Sequence, residues 1–206
     1  MRARYDPRMA GEAAALPWVS YDDYLALERE TNQRHEWFDG RVYAMAGGTL
    51  PYAELASAML GELRNLALTC GCRVFSSDAK VRVKATGLAT YPDGSMVCGR
   101  VETDAADANA MINPTLLVEV LSDSTEGYDR GEKWAHYRRI PSLKDYVLIS
   151  QHTRRIEVFS RDGDHWTLRV AEEGDAVKLT ALEGAILVDR VYLGVELTPD
   201  TRLPPQ

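Results

Sequence analysis

No apolar run in this 206-residue chain is long enough to cross a membrane, because a spanning helix needs about 20 consecutive apolar residues. The stretch Met1-Arg2-Ala3-Arg4-Tyr5-Asp6 has no apolar core, and Ala13-Ala14-Ala15-Leu16 is short and follows Glu12, so no secretory signal is expected. A cytoplasmic protein with no membrane partner is the resulting expectation. Cysteine is scarce: Cys70, Cys72 and Cys98 make an odd three, which reads as reduced thiols. Cys70-Gly71-Cys72 has one intervening residue and no second ligand pair, so no structural zinc site is expected. His35, His136, His152 and His165 are scattered without an i, i+4 pair and read as surface or rim residues. There is no glycine-rich phosphate loop, Gly-x-Ser-x-Gly elbow, internal repeat or low-complexity tract. Positive charge is also in deficit. The net charge of −7 argues against a nucleic-acid partner, but Gly127 to Arg161 holds eight Lys/Arg against four Asp/Glu. A local basic face of that kind can still attract phosphates.

What is present describes one domain. Hydrophobic residues at 45% and charged residues at 27% suit a soluble globular chain. Residues 1–19 read as a leader, 20–195 as the domain and 196–206 as a proline-bearing tail. Ser20 is a plausible N-cap for a helix ending near Thr31-Asn32. Asp39-Gly40 between Arg34–Phe38 and Arg41–Met45 signals a hairpin, because both turn positions favour positive φ. A helix is expected from about Pro51 to Thr69, with Leu55, Met59, Leu63 and Leu66 on one face. Strands follow at Arg73–Phe75, Lys80–Ala85, Gly94–Gly99 and Thr115–Leu121, with Glu102–Asn113 a polar loop. A helix over Tyr128–Arg139 precedes short strands at Tyr146–Ser150, Arg155–Ser160, Trp166–Val170 and Val177–Leu179, and Asp162-Gly163 reads as a second hairpin turn. This order makes a mixed α/β chain with a central sheet.

Two acids stand out. Asp93 sits in Tyr91-Pro92-Asp93-Gly94-Ser95-Met96-Val97-Cys98, at the entry to a strand. Glu119 sits in Leu116-Leu117-Val118-Glu119-Val120-Leu121, a continuous apolar run of the kind found in strands buried on both faces. A carboxylate buried there is costly unless it is paired or holds a metal. Lys133 follows on a helix, with Tyr137 one turn on and on the same face. Two such acids on adjacent strands with a lysine nearby suit metal-dependent hydrolysis of a phosphodiester: the acids hold a hard cation that activates water. Taken singly, Asp93 reads equally as a turn cap, Glu36 as an exposed strand acid and Lys133 as a surface lysine.

The order of five motifs resembles a known family. They are Arg34-His35-Glu36-Trp37-Phe38-Asp39-Gly40 through Gly48; Tyr91-Pro92-Asp93; Leu117-Val118-Glu119-Val120-Leu121-Ser122; Asp129-Arg130-Gly131-Glu132-Lys133 with Tyr137; and Leu143 to Ile149. Together, over about Ser20 to Leu193, they resemble the Uma-two family of restriction-endonuclease-like proteins, formerly a domain of unknown function, in the PD-(D/E)xK nuclease superfamily. The resemblance implies an α/β (α+β) restriction-endonuclease-like core, a central mixed sheet flanked by helices. It implies that Asp93 and Glu119 are the motif acids, with Glu36 a further acid of the metal site. The superfamily lysine stands two residues after the glutamate, where this chain has Leu121; the resemblance implies that Lys133 takes its role. Mg²⁺ or Mn²⁺ would be the cofactor, with the Val120 carbonyl a further oxygen ligand. Nucleic acid, DNA first, would be the partner, gripped by Arg130, Arg138 and Arg139, and a homodimer would suit cleavage of both strands. One departure is Tyr52, where many members carry histidine. Two other readings stand beside the endonuclease: a non-catalytic interaction module on a nuclease fold, and an enzyme acting on another phosphoester.

Overall fold

The computed structural model describes residues 18–45 and 47–199. Most of the expected leader and the end of the tail lie outside the described residues. Helix α1 (Tyr21–Thr31) starts as its sequence predicts, with Ser20 Oγ accepting from the Asp23 N–H, and it closes on Asn32 in the left-handed region. Strands β1 (His35–Phe38) and β2 (Arg41–Ala44) form the expected hairpin. Its turn places Asp39 at φ 48° and Gly40 at φ 76°, the paired positive values of a tight two-residue hairpin loop. Trp18 packs so closely on Gly40 that any Cβ there would collide with its ring.

Helix α2 (Leu50–Ala67) is capped by Thr49 and carries Pro51 in its first turn. Leu55, Met59, Leu63 and Ala67 recur every four residues and are its buried stripe. There follow β3 (Cys72–Ser76), β4 (Lys80–Val83), β5 (Leu88–Thr90), β6 (Gly94–Cys98), β7 (Ala110–Met111) and β8 (Leu116–Leu121). The helix between β8 and β9 is composite: α3 (Glu126–Tyr128), a π-helical turn (Asp129–Lys133) and α4 (Trp134–Tyr137). The chain continues with β9 (Asp145–Ser150), β10 (Arg155–Asp162), β11 (His165–Glu172), β12 (Ala176–Lys178), β13 (Ala185–Leu187) and α5 (Val188–Val191).

The central sheet has six strands in the order β11-β10-β9-β8-β6-β3 and is mixed, because β8 and β9 run parallel while its other pairs are antiparallel. Every residue of β8 is buried. Side chains alternate along a strand, so Leu116, Val118 and Val120 join the core beneath α2, with Met96, Val147 and Ile149. Leu117 and Leu121 face the other way and pack with Val81, Val83, Leu88, Tyr137 and Leu148. That second face is covered by the composite helix and by a five-stranded sheet, β2-β1-β5-β4-β7. At Gly94 the helix α2 packs tightly on the sheet: a Cβ there would lie 2.5 Å from Leu60 Cδ2.

Several expectations are corrected. Cys72 and Cys98 are not free thiols: they are register partners across β3 and β6 and form a disulfide, leaving Cys70 free. The polar loop Glu102–Asn113 contributes β7 and a bridge from Thr103 to Met111. The second hairpin loop is Gly163-Asp164, because Asp162 pairs with His165. His35 is buried rather than at a rim. Lys133 is buried as well, which removes the surface-lysine reading. Among the described residues no helix is long and apolar enough to cross a membrane.

Candidate active site

The interior-facing acid of β8 meets the composite helix across the sheet. Lys133 Nζ lies 2.9 Å from Glu119 Oε1, 3.3 Å from Asp129 Oδ1 and 3.5 Å from Glu36 Oε1. The Tyr137 hydroxyl donates to the same Glu119 oxygen at 2.9 Å, so Lys133 and Tyr137 do share a face and Glu119 is what they share. The π-helical turn spans Asp129 to Lys133, and such π-bulges within α-helices are frequent at functional sites.

Asp93 approaches from the position just before the neighbouring strand, β6. β6 and β8 pair with Gly94 opposite Val118, which places Asp93 beside the Glu119–Val120 backbone. Its Oδ2 accepts the Val120 N–H at 2.7 Å, and its Oδ1 accepts the Tyr52 hydroxyl. Tyr52 reaches it from the first turn of α2, where Thr49 Oγ1 accepts the Tyr52 N–H at 3.3 Å. Thr49 in turn donates to Gln151, whose amide donates to the Leu121 carbonyl at 2.7 Å. Glu36, on β1, accepts from the Thr90 hydroxyl and, at 3.3 Å, from the Tyr128 hydroxyl.

Three carboxylates, Glu36, Glu119 and Asp129, thus gather around one ammonium, and Asp93 is near enough to feel its charge. Burial raises the pKa of Glu119 well above the ordinary glutamate range, against the pull of Lys133. Burial raises Asp93 too, opposed by the Tyr52 and Val120 hydrogen bonds and by Lys133. Asp129 is raised by burial and drawn down by Lys133. Burial disfavours the Lys133 ammonium, but Glu119, Asp129 and Glu36 outweigh it and hold that pKa well above the usual lysine value. Burial holds the Tyr52 and Tyr137 hydroxyls protonated, reinforced by the acids they face.

The residues read from the sequence do not all fall together. Asp93, Glu119, Lys133, Tyr137 and Tyr52 converge, and Glu36 reaches Glu119 through Lys133. Among the described residues no three Asp, Glu, His or Cys side chains form a ready-made metal cage. Arg130 is committed elsewhere: its Nε donates to Glu126 at 2.8 Å and its Nη2 to Glu157 at 3.0 Å. Arg138 and Arg139 are exposed just after α4. Asp129 and Thr90 were missed. Asp129 could have been found from its i, i+4 spacing to Lys133; nothing local in the sequence marks Thr90.

A mixed sheet presenting two acids toward a helical lysine is a nuclease-like, restriction-endonuclease-like fold. The family model Uma2, described as "Putative restriction endonuclease", matches residues 21–189, and the chain belongs to that family. It is 33% identical over 185 residues to the uncharacterized protein slr1290 of Synechocystis sp. (strain ATCC 27184 / PCC 6803 / Kazusa), covering 89% of this chain and 96% of that protein. It is 31% identical over 150 residues to the uncharacterized protein sll1609 of the same organism, covering 71% and 83%. Its fold matches, with a TM-score of 0.69, the crystal structure of "a putative nuclease belonging to DUF820" from Anabaena variabilis ATCC 29413. That match covers 84% of this chain and 97% of the other at 16% identity, so the likeness is one of fold.

Proposed function

We propose that this protein is a divalent-metal-dependent endonuclease that hydrolyses nucleic-acid phosphodiester bonds, with DNA the favoured substrate and Mg²⁺ or Mn²⁺ the ion. The observation that carries this reading is the pair of neighbouring buried carboxylates, Asp93 just before β6 and Glu119 on β8, with the Lys133 ammonium 2.9 Å from Glu119. Three carboxylates pair with one buried lysine and Asp93 lies beside Glu119, and such an excess of negative charge fits a hard divalent cation. Asp93, Glu119 and the Val120 carbonyl are the oxygen donors to hold it, with Glu36 joined through Lys133. When bound, the ion supplies Lewis-acid stabilisation of phosphate charge and a more acidic water.

The remaining work falls to the protein's own side chains. Val120 N–H and Tyr52 fix the Asp93 carboxylate from two sides, and Tyr137 fixes Glu119. Lys133, fully charged, orients the attacking water and faces the charge that develops on the phosphate. Arg138 and Arg139, both exposed, would grip a nucleic-acid backbone. Residues 20–195 form the nuclease domain, and a homodimer would bring two such sites to two strands.

The test is cleavage of single- and double-stranded DNA and RNA with Mg²⁺ and with Mn²⁺. Cutting of double-stranded DNA that disappears with chelator is the expected result. If the protein binds neither ion at millimolar concentration and cuts none of the substrates, the reading fails. An interaction module would then be preferred, a reading favoured by the Tyr52 hydroxyl occupying an Asp93 oxygen.

Tyr52 provides a further test. Its hydrogen bond draws the Asp93 pKa down against burial. Tyr52→Phe removes that donor, so Asp93 should hold its proton to higher pH. The acidic limb of Mn²⁺ affinity, followed by calorimetry across pH, is expected to move upward; an unmoved limb would mean that Tyr52 does not tune Asp93.

A further inference from the structure

The five-stranded sheet buries a second ionic cluster that the proposed chemistry does not use. Lys80 on β4 is 4% exposed, and its Nζ lies 2.6 Å from Glu28 Oε2 and 2.7 Å from Asp107 Oδ2. The ammonium also sits against the rings of Tyr24 and Tyr91, at 5.0 and 5.7 Å from their centroids. Desolvation offsets much of what such a buried ion pair gains, so its presence is weak evidence of a stabilising role. It does determine where the groups bonded to it must lie.

Glu28, on α1, is the informative member. Its Oε1 accepts the His35 N–H at 2.8 Å, and its two oxygens accept the Tyr91 hydroxyl at 3.1 and 2.9 Å. His35 immediately precedes Glu36. Tyr91 stands between Thr90, whose hydroxyl donates to Glu36, and Pro92-Asp93. Two segments carrying acids of the site are therefore tied to one carboxylate, and Lys80 holds that carboxylate in place. Asp107 shares Lys80 but serves its own loop, accepting the Asn109 N–H at 3.0 Å.

We propose that Glu28, anchored by Lys80, is a positioning residue that sets Glu36 and Asp93 relative to one another through His35 and Tyr91. The effect on catalysis rests on the metal-nuclease reading; the effect on backbone order does not. Partners that orient metal ligands without touching the metal typically matter about tenfold to a hundredfold.

The test compares Tyr91→Phe and Glu28→Gln with Asp107→Asn in the full chain. Asp107→Asn breaks an ion pair of the same lysine without releasing either acid-bearing segment. Metal-free amide hydrogen exchange is the first measurement. Both Tyr91→Phe and Glu28→Gln should speed exchange at residues 35–38 and 88–93 together, whereas Asp107→Asn should do so only around residues 104–111. Mn²⁺ affinity and cleavage kinetics are the second. Affinity and kcat should fall about tenfold or more in Tyr91→Phe and Glu28→Gln, with KM for DNA unchanged, while Asp107→Asn keeps wild-type values. A merely structural role would make all three variants lose activity in step with their thermal midpoints. Unchanged exchange at the two segments, or an Asp107→Asn loss of Mn²⁺ affinity matching that of Tyr91→Phe, overturns the proposal. If the wild-type protein binds no Mn²⁺ and cuts nothing, the nuclease reading falls while hydrogen exchange still decides the positioning claim.

Discussion

Glu119→Gln is expected to abolish metal-dependent cleavage while leaving the protein folded. Glutamine preserves the shape of the side chain and an oxygen to accept from Tyr137, which donates to Glu119 Oε1 at 2.9 Å. What it removes is the charge needed to hold a divalent cation. Turnover should drop by about 10²- to 10³-fold, the scale on which a preorganised electrostatic contact acts, and the heat of Mn²⁺ binding should vanish. Lys133 keeps Asp129 and Glu36 as partners, so no buried ammonium is left alone. Stability should shift in the opposite direction. Burial raises the folded-state pKa of Glu119 well above 4.5, so its contribution is present below that pH and is lost as pH rises toward the folded-state value. Glutamine has no such dependence. Thermal melts of the metal-free proteins should therefore show a flatter profile above pH 4.5 for Glu119→Gln, with a midpoint no lower than wild type at pH 8. Retained cation affinity, or cleavage near the wild-type rate, would remove Glu119 from the site.

The same carboxylate shows what a sequence can and cannot reveal. Glu119 was visible because an acid inside Leu116–Leu121 conflicts with its neighbours, and such local conflicts concentrate at functional sites. The Asp39-Gly40 turn and the Ser20 cap were visible because their backbone geometry is dictated by residues a few positions apart. β5 was not: Leu88-Ala89-Thr90 is three residues long and wholly buried, so it shows no alternation. The disulfide was hidden for a different reason. It depends on the antiparallel register that sets Cys72 opposite Cys98, and cysteine counting carries no register. Arg130 read as a free cation because its partner Glu157 lies 27 residues away on β10. Glu28 escaped notice likewise: its contacts with His35, Lys80 and Tyr91 are assembled only by the fold. The candidate acid Glu119 left a local trace in the sequence, and Glu28, whose contacts depend on the fold, did not.

Lys133→Met tests the other half of the site and should separate stability from chemistry. Methionine fills a similar volume without the charge. Glu119, Asp129 and Glu36 would lose their shared ammonium within a buried cluster, and breaking a buried pair from one side typically costs about 3–5 kcal/mol. For a chain of this size that corresponds to a midpoint lowered by about 10 °C. The deficit should shrink as pH falls. Unpaired buried carboxylates have raised folded-state pKa values, so protonation below the ordinary range near 4.5 relieves them and the penalty grows as pH rises. A divalent cation should relieve them too, because a ligand that binds only the folded state stabilises it by mass action. Mg²⁺ or Mn²⁺ is therefore expected to raise the midpoint of Lys133→Met more than that of wild type, while cleavage stays lost for want of the ammonium that orients water and faces the phosphate. The opposite pattern, wild-type melting with no added response to the cation, would mean that the acids are not electrostatically dependent on Lys133. Restored cleavage in the cation-stabilised variant would show that Lys133 balances charge in the fold and takes no part in the reaction.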